Sequence, residues 1–430
     1  MLSREDNELL TKVGPGTPMG EYMRRFWIPG FLEEEVPTPD CDPIRIRLLG
    51  EDLVAFRDTT GKIGVLDAYC PHRLAHLYFG RNEDCGLRCV YHGWKFDTEG
   101  NCVDQPSEPA ETNFAHKVKL TSYPAVARSG LVWVYMGPKD KMPELPNLEW
   151  ARLGPRQSVI TKKFYEANYL QSVEGGLDSA HISFLHRSLK ELRGENLKTL
   201  HQKYGRIGHP VFDVKSAPHG LLVAARRNAE ADTYYWRVTP YLLPFYMMTP
   251  PILQQDPDSR KLDYSSFAWV PVDDETTATI HIYSRPVGEF SDEELHRLRT
   301  NGTLGPRDEN YYGIQNKSND YLMDRKKQRT ETYTGIETVQ VQDQAVTESM
   351  GPIAQRWKEH LGTTDRGIIE MRKLLKKQVL DLLAGKEPEA PANPDWYNVR
   401  PASIILDRTA DYVDGTRWLL DQARLAQAAE

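Results

Sequence analysis

The sequence predicts an α+β protein with two successive cores. Three observations predict it. Between residues 44 and 136, short β-forming runs alternate with turns. Between residues 220 and 285, longer runs suit antiparallel strands. Helical periodicity falls mainly outside these regions, at 165–186 and 351–384. A chain of 430 residues is long enough for two domains with sizeable cores.

Taken in order, Ser3 to Val13 reads as a short helix. Ser3 is its N-cap, and Glu5 and Asp6 sit in its first turn, where negative charge suits the helix dipole. Gly14, Pro15, Gly16 and Pro18 end it. Residues 45–49 and 52–56 flank a turn at Gly50-Glu51, and 63–66 follow another at Thr60-Gly61. Residues 130–135 are rich in β formers. Pro138, Pro143, Pro146 and Pro155 mark a domain boundary between Gly137 and about Arg156. Residues 165–186 read as helical, with a disturbance at Gly175-Gly176. Strands follow at 221–226, 233–239, 265–270 and 277–283. A mixed helical region begins at 319–329. Residues 351–384 form a strong helical stretch, with Ile368, Ile369, Met371, Leu374 and Leu375 at helical spacing. A Pro/Ala-rich link at 387–395 leads to a final helix at 411–430, expected to pack on a neighbouring subunit.

Composition excludes several classes. At 40% hydrophobic and 27% charged, it is ordinary for a soluble globular chain. A net charge of −7 argues against nucleic acid or an anionic membrane as partner. The N-terminus lacks an apolar leader core, and the longest apolar runs, 131–136 and 241–248, are too short to span a bilayer. A cytoplasmic address is expected. Five cysteines do not make a disulfide framework, so Cys41, Cys85 and Cys102 read as reduced thiols.

The remaining cysteines carry chemistry. Cys70-Pro71-His72 and Cys89-Val90-Tyr91-His92 each set an imidazole close behind a thiolate, with sixteen residues between His72 and Cys89. A hairpin can bring two such loops to one metal site. Two Cys and two His can close a tetrahedral zinc site, or hold a Rieske [2Fe–2S] cluster with the cysteines on one iron and the histidines on the other. Zinc fingers usually pair like with like, whereas each half here carries one of each, which favours the cluster.

A second constellation lies downstream. Asn168, Gln171, Gly175 and Asp178 share a helix face, and His181 lies near it. His186 is about 140° further round an ideal helix, so His181 and His186 share a metal only if the helix ends or bulges between them. Two imidazoles and one carboxylate make the facial triad of non-haem Fe(II) oxygenases. A downstream carboxylate must complete it. Glu337, Asp343 and Glu348 are candidates that spacing alone cannot separate.

CPHR, CVYHGWKFD and NYLQSVEGGLDSAHISFLH resemble the ligand boxes of the Rieske non-haem iron aromatic-ring-hydroxylating oxygenases, α subunit. GPGTPMGEYMRRFW and the segment from Glu348 to Ile369 resemble the phthalate dioxygenase branch. The resemblance covers about residues 1–385. It implies an all-β Rieske domain at 36–145 after a helical segment at 1–35. A helix-grip (START-like) catalytic domain with an antiparallel sheet would occupy 146–385, and a C-terminal tail with a helix 386–430. It implies a Rieske cluster on Cys70, His72, Cys89 and His92, and a mononuclear Fe(II) on His181, His186 and Asp343, with Glu348 and then Glu337 as runners-up. Asp178 would bridge His181 to a cluster histidine, His92, of a neighbouring subunit.

The expected partners follow from the same resemblance: a homotrimer or stacked-trimer hexamer, a separate flavin/iron–sulfur reductase, dioxygen and an aromatic carboxylate. The chain has no glycine-rich dinucleotide fingerprint of its own. An Arg suits a carboxylate in an apolar pocket, and Arg226, Arg227 and Arg237 lie in or beside strands. Arg226 and Arg237 are the expected substrate contacts. Asn168 and Gln171 are expected either near the iron or as capping groups, and Asn168 joins Asp178 as a candidate catalytic residue. O-demethylation on the same fold, and electron transfer without catalysis, are the competing readings.

Overall fold

The computed structural model describes residues 2–195, 197–205, 208–253, 263–300, 302 and 304–418. Two compact units result. Residues 12–145 with 270–273 form one, and the described parts of 1–11, 146–269 and 274–430 form the other.

The first unit is all-β apart from short helical turns. Trp27–Leu32, Leu131–Tyr135 and Ala125–Arg128 form one antiparallel sheet, with Leu131–Tyr135 central. That central strand is buried throughout, which explains its continuous apolar run. Ile44–Leu48, Glu51–Arg57 and Ile63–Asp67 form a second sheet, joined by the turns the sequence marks. Arg81–Glu83, Gly86–Arg88, Lys95–Phe96 and Cys102–Asp104 make a small third sheet. Val54, Phe56, Leu66, Leu77, Leu87, Phe96 and Leu120 pack into one core with Cys70, Cys89 and Trp94. The cysteine loops are thus rooted in this core.

The second unit is built on an eight-stranded antiparallel sheet. Its order is Ser158–Tyr165, Thr277–Ser284, Tyr264–Pro271, Tyr246–Thr249, Thr233–Leu242, Gly220–Asn228 and Val211–Ala217, with Ala402–Asp407 also pairing to Thr233–Leu242. The helix Arg366–Leu383 lies against Val211–Ala217 and Gly220–Asn228, and its apolar stripe of Met371, Leu375 and Val379 is fully buried. This is a helix gripped by a sheet.

Two expectations need correction. The helix after strand Ser158–Tyr165 is Tyr169–Leu177, and it runs straight through Gly175-Gly176. Gly176 is there for close approach: a Cβ would stand 2.4 Å from Cη2 of Trp269. The break falls at Asp178 instead, which caps the C-terminus. The long helix starts at Arg366 and not at Gly351; before it lies the short 3₁₀ turn Arg356–Lys358, whose Arg356 joins a buried ion-pair network. In the tail, residues 412–418 are helical, and the rest of the expected final helix lies outside the described residues. No helix among the described residues is long and apolar enough to cross a membrane.

Candidate metal centres

The two cysteine loops are one turn built twice. Cys70 N–H donates to the Ala75 carbonyl, and Leu74 N–H to the Cys70 carbonyl. Cys89 N–H donates to the Trp94 carbonyl, and Gly93 N–H to the Cys89 carbonyl. In each, the fifth residue takes a positive φ: Leu74 at 59° and Gly93 at 78°. The thiols meet, and a hydrogen bond with Cys70 draws Cys89 down to about 6. The imidazoles of His72 and His92 stand 4.4 Å apart between centroids, edge to face. His92 Nδ1 is buried with no hydrogen-bond partner among the described residues. A buried nitrogen without a partner, on an imidazole beside a second imidazole and near a Cys pair, suits a cluster ligand. Trp94 stacks on His72 at 4.4 Å with ring planes 8° apart, and its Nε1–H is held by Ser107 Oγ at 3.2 Å. Trp94 lies inside the quoted motif, yet the sequence does not reveal its role, because its ring partner sits on the other loop.

The second centre forms where the helix Tyr169–Leu177 ends. Asp178 Oδ1 accepts from Ala180 N–H at 2.7 Å and His181 N–H at 3.3 Å, turning the chain into a short 3₁₀ segment, His181–Ser183. That turn brings the rings of His181 and His186 to 4.9 Å between centroids, with Nε2 atoms 3.1 Å apart. The helix Val339–Ser349 supplies Asp343, whose Oδ1 lies 3.6 Å from His181 Nε2 and 3.2 Å from His186 Nε2. Donors about 2.1 Å from one ion at right angles would stand about 3 Å apart. The three ligand atoms, all within 4.8 Å of one another, therefore fit one face of a single metal ion.

The other acidic candidates are occupied elsewhere. Glu348 is about 140° around the helix from Asp343. Its carboxylate accepts from Glu166 N–H, Gln344 Nε2 and Tyr321 Oη. Glu337 pairs with Lys327 at the surface.

Electrostatics around the triad are mixed. Burial pushes the Asp178 carboxyl up, but the His181 imidazole and backbone N–H groups outweigh it and hold it below the usual range. Burial pushes His181 down, and Asp178 and Asp343 reverse that. His186 Nδ1 lies 2.8 Å from Gln342 Oε1, a contact the sequence reading missed.

The strand pair Gly220–Asn228 and Thr233–Leu242 sorts the arginines. Ala225 pairs with Arg237, and Arg227 with Tyr235, so Arg227 and Arg237 share a face. Arg227 clamps Ser179, donating to its carbonyl at 2.6 Å and its hydroxyl at 3.3 Å. Arg237 is 7% exposed and donates to His201 Nδ1 at 3.4 Å. Burial, then Arg237, Arg227, His186 and His181, hold His201 well below its ordinary value, so it is neutral. Burial and Arg237 pull Arg227 down to about 10. His201 is a further residue the sequence did not single out, being one helical residue without a motif.

Two expected site residues lie elsewhere. Arg226 is on the opposite face of its strand, over the rings of Tyr234 and Trp236, because side chains alternate along a strand. Asn168 is the N-cap of Tyr169–Leu177. Its Oδ1 accepts from Leu170 N–H, and its amide donates to the carbonyls of Thr11 and Asp274. Gln171 is likewise spent on Thr347, Gly351 and Ala354.

Comparison with known proteins finds relatives along the whole chain. A family model described as Rieske [2Fe-2S] domain matches residues 26–124, and one described as LigXa C-terminal domain like matches residues 134–413. The chain is 36% identical to the phthalate 4,5-dioxygenase oxygenase subunit of Pseudomonas putida, over 99% of this chain and 98% of that one. It is 38% identical to the 3-chlorobenzoate-3,4-dioxygenase oxygenase subunit of Comamonas testosteroni, over 88% of each. It is 35% identical to the 5,5'-dehydrodivanillate O-demethylase oxygenase subunit of a Sphingobium species, over 91% of this chain and 83% of that one. Among solved structures, Pseudomonas putida CBB5 NdmA with caffeine shares the fold, at TM-score 0.61 and 21% identity, over 92% of this chain and all of that one. The chain belongs to the Rieske non-haem iron ring-hydroxylating oxygenases, in the branch of the phthalate and chlorobenzoate dioxygenase oxygenase subunits, whose cofactors are a Rieske [2Fe–2S] cluster and a mononuclear iron.

Proposed function

We propose that this protein is the oxygenase component of a multicomponent dioxygenase that hydroxylates an aromatic carboxylate of the phthalate or substituted-benzoate type. The observation that carries this reading is the pairing of a three-donor face, His181, His186 and Asp343, with the buried cations Arg227 and Arg237. Cys70, His72, Cys89 and His92 hold the cluster. When bound, the mononuclear iron supplies dioxygen activation with electrons delivered from the cluster. Arg237 binds the substrate carboxylate through its planar fork. Neutral His201 accepts from Arg237 at Nδ1, so its proton sits on Nε2. Asp178 orients His181 and bridges to the cluster of a neighbouring subunit in a trimer or hexamer.

Electrons come from a separate NAD(P)H reductase, a reading supported by the lack of a dinucleotide fingerprint in the sequence. A cytoplasmic setting suits the free cysteines.

The test is metal content, then turnover. Cluster plus iron requires about three irons and two sulfides per chain. The double variant His181→Ala/His186→Ala should keep the sulfide and lose one iron. A variant that loses no iron leaves only an electron-transfer role. With a reductase, benzoates and phthalates should be consumed, and Arg237→Met should raise KM at least about tenfold while Arg226→Met leaves it unchanged. A second reading, O-demethylation, is favoured by the likeness to the dehydrodivanillate enzyme. Formaldehyde release from a methoxybenzoate, in place of a dihydroxylated ring, would establish it.

A further inference from the structure

We propose that Gln342 is a positioning residue that selects the tautomer of His186 and so decides which nitrogen His186 presents to the mononuclear iron. The inference rests on the iron reading of the triad and extends it to a group outside the donor set.

A neutral imidazole carries one N–H, on either nitrogen. A glutamine amide can face either way, so a short contact alone does not say which partner donates. Here the question has one answer. Gln342 Nε2 lies 2.6 Å from the Ile336 carbonyl, which can only accept. The amide end facing Ile336 is therefore the NH2, and the end facing His186 is the oxygen. That oxygen lies 2.8 Å from His186 Nδ1, and it too can only accept. Nδ1 must carry the proton. Nε2 is left with its lone pair toward Asp343 Oδ1 and His181 Nε2, at 3.2 and 3.1 Å.

The carbonyl that sets this chain of choices is itself fixed. Ile336 is buried against Tyr321 and Val341, and Thr334 Oγ1 both accepts from Ile336 N–H at 3.1 Å and donates to Ile336 O at 3.3 Å. Gln342 is 4% exposed, so water offers little competition for its amide. Its neighbour Asp343 is the third donor, so one helical turn both binds the ion and aims a second ligand. The two imidazoles are thereby treated differently. His181 Nδ1 faces the Asp178 carboxylate at 3.7 Å, whereas His186 faces a neutral amide at closer range. An amide fixes the tautomer without adding negative charge to the site.

The experiment starts from cluster-containing protein stripped of its mononuclear metal, with 15N-labelled histidine. His186, assigned by loss of its signals in His186→Ala, should appear as the Nδ1–H tautomer before any metal is added. The Nε2–H form in wild type overturns the proposal, and this measurement needs no Gln342 variant to fold. Gln342→Met should then lose the Nδ1–H preference and raise the dissociation constant for Co(II) about 10–100-fold. Gln342→Glu, which keeps an acceptor, should retain the tautomer. Gln344→Met is the control for a structural effect, since Gln344 is buried on the same helix but bonds Glu348. If Gln344→Met weakens Co(II) as much, or Gln342→Met keeps the tautomer, the proposal fails. Wild type that takes up no Co(II) sinks the iron reading itself, a separate outcome.

Discussion

Gly93 and Leu74 hold the same place in the two cluster loops, and they are not equivalent. Both have positive φ, a region that costs an L-residue about 1–2 kcal/mol. Leu74 bears that strain with its side chain in solvent. Gly93 cannot take a side chain, because a Cβ would stand 2.6 Å from Cγ of Pro106. Gly93→Ala therefore adds both strain and a clash, where Leu74→Ala adds neither. Acid-labile sulfide per chain should fall by at least about half in Gly93→Ala and stay unchanged in Leu74→Ala; equal sulfide in the two would refute the argument. That the Cys and His pairs would meet was legible in the sequence, because their spacing along the chain is itself the constraint. Trp94, Gln342 and His201 were not, because each acts on a residue from a distant part of the chain. Asn168 was legible as a cap and equally as an iron neighbour, and the choice depended on where the helix begins.

The helix Tyr169–Leu177 shows what periodicity can and cannot reveal about an element. Paired glycines suggested a break, yet the helix needs Gly176 to sit against Trp269 and Met247. A glycine's local cost is visible in sequence, and the packing that makes it necessary is not. The same element carries Glu174, which binds Arg356 and Arg372, while Arg356 also donates to Asn7 and Arg372 to Glu359. The apolar spacing of 351–384 could not show that Arg356, in a short 3₁₀ turn ahead of the long helix, belongs to this network. The strands at 220–285 were placed within a few residues, because β-branched and aromatic runs bounded by turns specify them locally. Burial pushes the Glu174 carboxyl up, but the two guanidiniums outweigh it and hold it below its usual range. A depressed folded value means stability that is present above the ordinary carboxylate range and lost as pH falls through the folded value. Glu174→Gln should destabilise the protein by about 3–5 kcal/mol at pH 7, since it strands buried cations. The gap between wild type and variant, measured by denaturant unfolding, should narrow below about pH 4.5. A gap constant with pH would mean that the carboxylate charge is not what matters.

At the scale of the molecule, the chain's own order misleads about its units. Residues 1–11 join the unit formed mainly after residue 146. Asn7 donates to the Ala354 carbonyl, and the Leu10 carbonyl accepts from Tyr169 Oη, contacts more than 150 positions apart. Sequence composition locates a linker, but it cannot say which core a terminal helix will join. Cys70, His72, Cys89 and His92 lie in one unit and the His181, His186 and Asp343 triad in the other, which raises the question of the route between them. The proposed route, through Asp178 to a neighbouring subunit, has a stoichiometric consequence. Consider a head-to-tail ring of three in which each cluster serves the next subunit's triad. Chains with a lost cluster, His72→Ala, are co-assembled with chains lacking a triad ligand, His186→Ala, and mixed trimers are isolated by two tags. Whether the trimer holds one or two of either kind, one directed contact joins an intact cluster to an intact triad. Mixed trimers should therefore show about one third of wild-type turnover, while either parent alone shows essentially none. Transfer within each chain predicts no activity in the mixture, since no single chain holds both centres. Adding Asp178→Asn to the chain that keeps its triad should abolish the recovered third while leaving its iron content intact. Recovery that survives this change would remove Asp178 from the path and leave the intersubunit route to be carried by another group.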